Sequence, residues 1–264
     1  MLRLLDARAG SYTEVRPARR GLLRVCAQVP GPAGETDITW LRVLLVTDLL
    51  ARAAELHNLQ VLTVLALADQ ASAQVAAFER TADALGIHPP AARASLSEAR
   101  TSAGGPIDVH VVSQGTGADG SQSGLVARVG AARLRRVDDH DEAGAGDVLR
   151  RHDPLAVRLA LMSLPHHQPA DLTEDVLVST GETVALWRRH VAAWAEAPSR
   201  PIPARITEQV RAAFGDLDTA SALALLRDLV LDADVPAGAK FETFVYADRV
   251  LGLDLPRDIG RASG

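Results

Sequence analysis

The chain has 264 residues, a formal net charge of −5, and 47% hydrophobic but only 3% aromatic residues. That length supports a sizeable core in one or two domains. The negative charge and scarce aromatics argue against broad electrostatic capture of nucleic acid and against stacking platforms for bases. A lone cysteine, Cys26, excludes an intramolecular disulfide and a multi-cysteine zinc site. No apolar run approaches the length of a membrane span and no signal-peptide pattern opens the chain, so the expectation is a soluble, cytoplasmic protein with no membrane partner.

In chain order, residues 1–17 predict a β-hairpin turning near Gly10. The apolar stretch 21–29 predicts a buried strand, and 40–57 a helix with apolar residues at helical spacing. A Gly/Pro loop joins them. This arrangement often turns a helix N-terminus toward a phosphate, yet the loop carries Glu35 and Asp37 and no basic residue. A second buried strand spans 59–67 and leads to Asp69. A helix over 71–86 stops at Gly86, before Pro89 and Pro90. Strand, helix, strand, helix implies parallel pairing through right-handed crossovers. Residues 91–105 read as a loop and 107–113 as a third strand. Residues 125–137 suit a strand pair or a short helix, and 138–146 read as an acidic loop. From about 147 onward only helices are expected, over 147–151, 154–163, 173–196, 203–214, 218–231 and 237–251, with Thr173 and either Asp218 or Thr219 as caps. The fold class is therefore α/β, a Rossmann-like parallel sheet in residues 1–150, followed by an all-α helical bundle in 151–264.

Three segments of the second half carry a family likeness: "DVLRRHDPLAVRLALM" (147–162), "FGDLDTASALALLRDLV" (214–230) and "DRVLGLDL" (248–255). They resemble the helical region of cysteinyl-tRNA synthetases and of the related mycothiol cysteine ligase. In the first half, "MLRLLDARAG", "RVCAQV", "LLVTDLLARAAE", "VLALAD" and "IDVH" are similar to that family's successive strands and helix in the same order. The resemblance implies a class I aminoacyl-tRNA synthetase core. It also implies that the inserted connective domain is lost and that the anticodon-binding domain is absent.

The departures from the family pattern bear on activity. The family's His-Ile-Gly-His signature, which stabilises ATP phosphates, is matched by Asp37-Ile38-Thr39-Trp40. Its Lys-Met-Ser-Lys-Ser loop, which holds pyrophosphate, is matched by 137–142, where Asp138, Asp139, Asp141 and Glu142 would repel a triphosphate. Loss of one preorganised donor typically lowers a rate by roughly 10²–10³. Of the zinc ligands the resemblance implies, only Cys26 has a counterpart, so zinc is not expected. The family's glycine run after "IDVH" has become Val111-Val112-Ser113.

The pocket candidates are thus Cys26, Asp37, Thr39, Trp40, Asp69, Asp108 and His110, in the main as vestiges. Cys26 reads as a nucleophile, a vestigial ligand or, preferably, a small core residue. Asp69 ends a strand at the edge where ligands bind, and equally suits a helix cap. His110, with Asp108, would touch an adenosine or serve as a hydrogen-bonded strand residue. Trp40 is expected to close the old adenine pocket, or else to cover a ligand or partner. "DDHDE" (138–142) could chelate a metal through oxygen but suits a solvated loop. His166-His167 read as a structural turn, and Arg133, Arg135 and Arg136 as a solvated face. The expected function is a degenerate, non-catalytic binding or regulatory module with a protein or small-molecule partner, with no cofactor and without tRNA binding. The alternative is an ATP-dependent ligase with an altered nucleotide site.

Overall fold

The computed structural model describes residues 1–29, 37–67, 72–114, 123–135 and 145–261. The chain opens with antiparallel strands β1 (Arg3–Asp6) and β2 (Ser11–Glu14), the hairpin expected around Gly10. There follow β3 (Leu22–Val29), helix α1 (Ile38–Leu56), β4 (Gln60–Leu67), helix α2 (Ser72–Ala84), the short β5 (Ala92–Ala94), helix α3 (Ala99–Ser102), β6 (Val109–Ser113) and β7 (Leu125–Val129). These strands form a seven-stranded sheet in the order β2-β1-β7-β6-β3-β4-β5. The pairs β3–β4, β3–β6, β4–β5 and β6–β7 are parallel. Strand order reverses between β3 and β6. At such a switch point the loops diverge and leave a crevice outside the carboxyl ends of the strands.

Three sequence expectations need correction. Residues 91–105 are not all loop, since β5 and α3 lie within them. Ala92-Arg93-Ala94 has too little apolar alternation to announce a strand, and it forms by hydrogen bonding to the exposed side of β4. Within 125–137, β7 and a second strand, β8 (Ala132–Leu134), do not pair with each other. β7 completes the main sheet, and β8 pairs in parallel with β9 (Ala170–Leu172). The stretch after 147 is consequently not helical throughout. Its helices are α4 (Ala145–Arg151), α5 (Pro154–Met162), α6 (Glu174–Trp194), α7 (Ala204–Gly215), α8 (Thr219–Leu231) and α9 (Ala237–Leu251), followed by a 3-10 turn over Leu255–Asp258.

Local chemistry sets the helix boundaries. Thr173 and Asp218 cap α6 and α8 by accepting from the Val176 and Ser221 amides. Asp153 caps α5, with Pro154 in the first turn, where its missing N–H costs nothing. Gly252 ends α9 with φ of 61°, a left-handed conformation suited to glycine.

Helix α1 is buried nearly all round, from Leu41 through Leu50, as expected of a helix that is apolar on every face. One side packs on β3, β4 and β6, and another meets α9. A single hydrophobic cluster therefore runs from Leu23 and Val25 of the sheet through Leu45 and Leu49 to Trp187, Phe214 and Phe244 of the helical half. The opposite face of the sheet has its own small cluster, with Cys26, Val64, Ala66, Ala99, Ala103 and Ile107. Among the described residues no helix is long and apolar enough to cross a membrane.

Candidate functional site

The N-terminus of α1 points to the carboxyl edge of the sheet, and its first residues are committed to the protein. Asp37 caps the helix, its carboxylate accepting from the Thr39 amide at 2.7 Å. A carboxylate there occupies the amide groups and the positive end of the helix field that a phosphate would use. The Thr39 hydroxyl donates to the Ala132 carbonyl and accepts from the Ala132 amide, both at 3.1 Å, and so fixes α1 to β8. The ring of Trp40 is half-buried and edge-on to Phe78 of α2, with centroids 6.5 Å apart.

On the sheet face turned away from α1 the central strands build a polar row. Parallel register places Gln28 of β3, Val112 of β6 and Arg128 of β7 side by side, with Cys26, His110 and Val126 in the row below. Two strand spacings of about 4.8 Å put the Gln28 and Arg128 backbones about 10 Å apart on one face of the sheet. His110 Nδ1 accepts from Gln28 Nε2 at 2.8 Å, and its Nε2 donates to the Ser123 carbonyl at 3.0 Å. A carbonyl can only accept, so the ring is the neutral Nε2–H tautomer. Burial lowers the pKa of His110, the bond to Ser123 opposes that shift, and Arg8 adds to it. Arg128 Nε is buried and has no hydrogen-bond partner among the described residues. Both ring nitrogens of His110 are thereby committed and hold Gln28 in place, and the group the row offers an anionic ligand is the Arg128 guanidinium.

The other residues singled out in the sequence are dispersed. Cys26 lies on the same sheet face as the row, two residues below Gln28, but inside the small apolar cluster there, and burial pushes its thiol up to about 12. A protonated thiol among Val64, Ala66 and Ala99 is neither a nucleophile nor a metal ligand, and its surroundings do not fit a zinc ion. Asp108 precedes β6 at the amino edge, where its carboxylate accepts from the Ala18 and Arg24 amides at 2.7 and 2.8 Å. Glu35, Asp69, Arg136 and the acidic run 138–142 lie outside the described residues. Arg133 is exposed, and Arg135 pairs with Asp171 at 3.3 Å.

His166 and His167 stand in the turn between α5 and β9, their rings perpendicular and 5.5 Å apart. Burial drives His166 down to about 4, with His167 and Arg42 adding to the shift and Asp218 opposing it. Arg42 of α1 supports this turn from within. Its fully buried guanidinium donates to the carbonyls of Leu161, Gly130, Gln168 and Pro165 at 2.5–3.3 Å. Burial lowers its pKa to about 10, so it remains a cation at neutral pH. Gly130 completes the contact, because a Cβ there would lie 2.2 Å from the Gln168 carbonyl oxygen.

Gln28, Arg128 and Arg42 are the residues that the sequence reading missed. The signal for the first two is a polar side chain on an otherwise apolar strand next to the switch point. For Arg42 it is a charge set within the apolar run Leu41–Val46 of a helix buried nearly all round.

No family profile matches the chain, and no curated protein matches it. Among solved structures the chain is similar to a Campylobacter jejuni protein assigned as an arginyl-tRNA synthetase, at 10% identity and a TM-score of 0.52, over 90% of this chain and 89% of that one. At that identity the likeness concerns the fold alone. The reversing parallel sheet, the buried crossover helix and the helical half behind it together make this an aminoacyl-tRNA synthetase-like fold.

Proposed function

We propose that the protein is a catalytically degenerate relative of cysteinyl-tRNA synthetases and the mycothiol cysteine ligase, acting as a non-catalytic module that binds a small polar ligand at the carboxyl edge of its sheet. The observation that carries this reading is the state of the α1 N-terminus. Asp37 is spent on the cap, Thr39 on Ala132 and Trp40 on Phe78. None of the three is a cationic or preorganised donor for a phosphate, and an enzyme lacking such donors loses most of its transition-state stabilisation. The Gln28–His110–Arg128 row supplies what binding requires, namely one cation on a rigid hydrogen-bonded support, without a nucleophile.

The competing reading is an ATP-dependent aminoacyl ligase with an altered nucleotide site. The same Arg128 speaks for it, because a guanidinium at the switch point could take the charge that the signature histidines take in the family. Cysteine-dependent ATP–pyrophosphate exchange separates the two. The binding module gives exchange at background, while a melting screen with ATP, cysteine, a cysteinyl-adenylate analogue and tRNA gives a shift with a small ligand that Arg128→Gln removes. Exchange above background that Arg128→Gln abolishes overturns the non-catalytic reading.

A further inference from the structure

A cavity lies at the opposite, amino edge of the sheet, remote from the row described above. It is an open groove of about 550 Å³ between the end of α1, strand β1, the end of α7 and helix α9. Leu56 and Phe214 supply apolar wall, and His57, Asn58, Arg211 and Tyr246 supply polar groups. Arg3 and Asp216, also on its wall, neutralise each other in a two-pronged ion pair at 2.5 and 2.7 Å. Arg211 is different. Its Nε donates to Tyr246 Oη at 3.4 Å, and no carboxylate among the described residues pairs with it. It is an uncompensated cation directed into a cavity.

Two helices, α1 and α7, end at this groove, and free terminal carbonyls there would repel an anion. Most of those carbonyls are occupied. Ala54 O accepts from the His57 and Leu59 amides and Glu55 O from the Asn58 amide, while Ala212, Ala213 and Phe214 accept from the Asp216, Asp218 and Leu217 amides. Besides the Arg3–Asp216 pair, the polar side chains facing the space are the Arg211 guanidinium, the Tyr246 hydroxyl, the Asn58 amide and the His57 imidazole.

We propose that this groove is a binding site for a small organic oxyanion, a carboxylate or a phosphate ester, held by Arg211 through a charge-assisted hydrogen bond, with Tyr246 and Asn58 as further donors and Leu56 and Phe214 against its carbon body. The site is independent of the carboxyl-edge row and does not depend on its function. His57 is its built-in reporter. Burial above all holds the pKa of His57 low, and neighbouring cationic groups, Arg211 among them, add to that. A bound anion partly cancels the cationic contribution, so the pKa rises on binding and affinity increases as pH falls through the His57 titration. The groups facing His57 are Arg3 and Asp216, paired with each other, Arg211, the phenol of Tyr246 and the amino group of Met1.

The test uses the whole protein with ¹⁵N-labelled histidine, titrated separately with inorganic phosphate, adenosine monophosphate and succinate while the imidazole resonances are followed. The expected result is a saturable shift at His57 with at least one of these anions, at concentrations up to about 20 mM. A response to phosphate and its ester alone identifies a phosphate site, and an equal response to succinate a general oxyanion site. Arg211 is exposed on α7, so Arg211→Gln leaves the fold intact and weakens binding at least about tenfold, while Arg211→Lys retains most of it. Absence of a saturable His57 shift with all three anions, or a shift that Arg211→Gln leaves unchanged, overturns the proposal.

Discussion

Asp48 and Arg158 meet at 2.7 Å in the interior, where each side chain is at most 1% exposed, and their contact joins the sheet half to the helical half. Asp48 belongs to α1 and also holds Arg52 at 2.9 Å and the His88 amide at 3.2 Å. Arg158 belongs to α5 and donates to the carbonyls of Leu251 and Leu85 at 2.6 and 3.1 Å. Burial pulls its pKa down and Asp48 pulls it back up. Removing one member of such a pair strands the other charge, so Asp48→Ala should cost about 3–5 kcal/mol. Urea unfolding is the measurement, and a loss below about 1 kcal/mol would show that the two halves do not depend on the pair. The double replacement Asp48→Leu with Arg158→Met should cost less than Asp48→Ala alone, because it strands no charge.

Acid should unfold the protein through its buried histidines. His166 is held down at about 4 against an ordinary 6.5. Its neutral form is the one the fold accepts, so the unfolded chain binds a proton in this window and the folded chain does not. Stability is complete above pH 6.5 and is lost as the pH falls toward 4. The difference corresponds to on the order of 3 kcal/mol. His57, His110 and His190 are also lowered by burial and act in the same direction. Denaturation midpoints from pH 7.5 to 4.5 should fall steadily, and His166→Leu should flatten that slope. An unchanged slope in the variant would assign the acid sensitivity elsewhere.

At the start of α1, Trp40→His restores a residue type that the resemblance leads one to expect near that position. The half-buried ring and its contact with Phe78 are lost, with a cost of roughly 1–3 kcal/mol. The variant should remain unable to bind ATP, because Asp37 still caps the helix and Thr39 is still tied to Ala132. Thermal melting and nucleotide titration decide the matter. An unaltered melting temperature removes the packing role of Trp40, and new ATP affinity means that the site has decayed less than its sequence suggests.

Cys26 should be chemically silent. Its thiol is fully buried and its pKa is pushed up to about 12 by burial, so almost no thiolate is present at neutral pH. Maleimide labelling should proceed only as fast as the protein opens, and metal analysis should find no stoichiometric zinc that Cys26→Ala removes. Rapid native-state labelling, or about one zinc per chain lost in that variant, would contradict this account.

Most of the scaffold was legible because its residues obey local rules. Leu22–Val29 and Gln60–Leu67 are apolar runs of strand length, and Asp153-Pro154, Thr173 and Asp218 are helix starts with a chemical reason. The short strands β5 and β9 were not legible. Three residues carry no period, and Ala170–Leu172 is extended only because β8 lies beside it. The site was legible at its edges alone. Asp37 and Thr39 depart from the signature that the resemblance implies, but their use as cap and tether is a matter of geometry. Arg42 and Arg158 have no role that the sequence assigns, and only the fold shows carbonyls and a carboxylate gathered around them. Arg128 acquires meaning from register, since nothing local places it level with Gln28.

Helix α1 is tethered at two heights, by Thr39 to Ala132 at its first turn and by Asp48 to Arg158 near its middle. Two tethers to different partners remove both sliding along the axis and rotation about it. A ligand at the carboxyl edge therefore meets a fixed wall, and no hinge between the halves is available to close over it without breaking a buried ion pair. Recognition there is of the lock type, with affinity set by how well the ligand fits a surface already in place, and association should be free of a slow conformational phase.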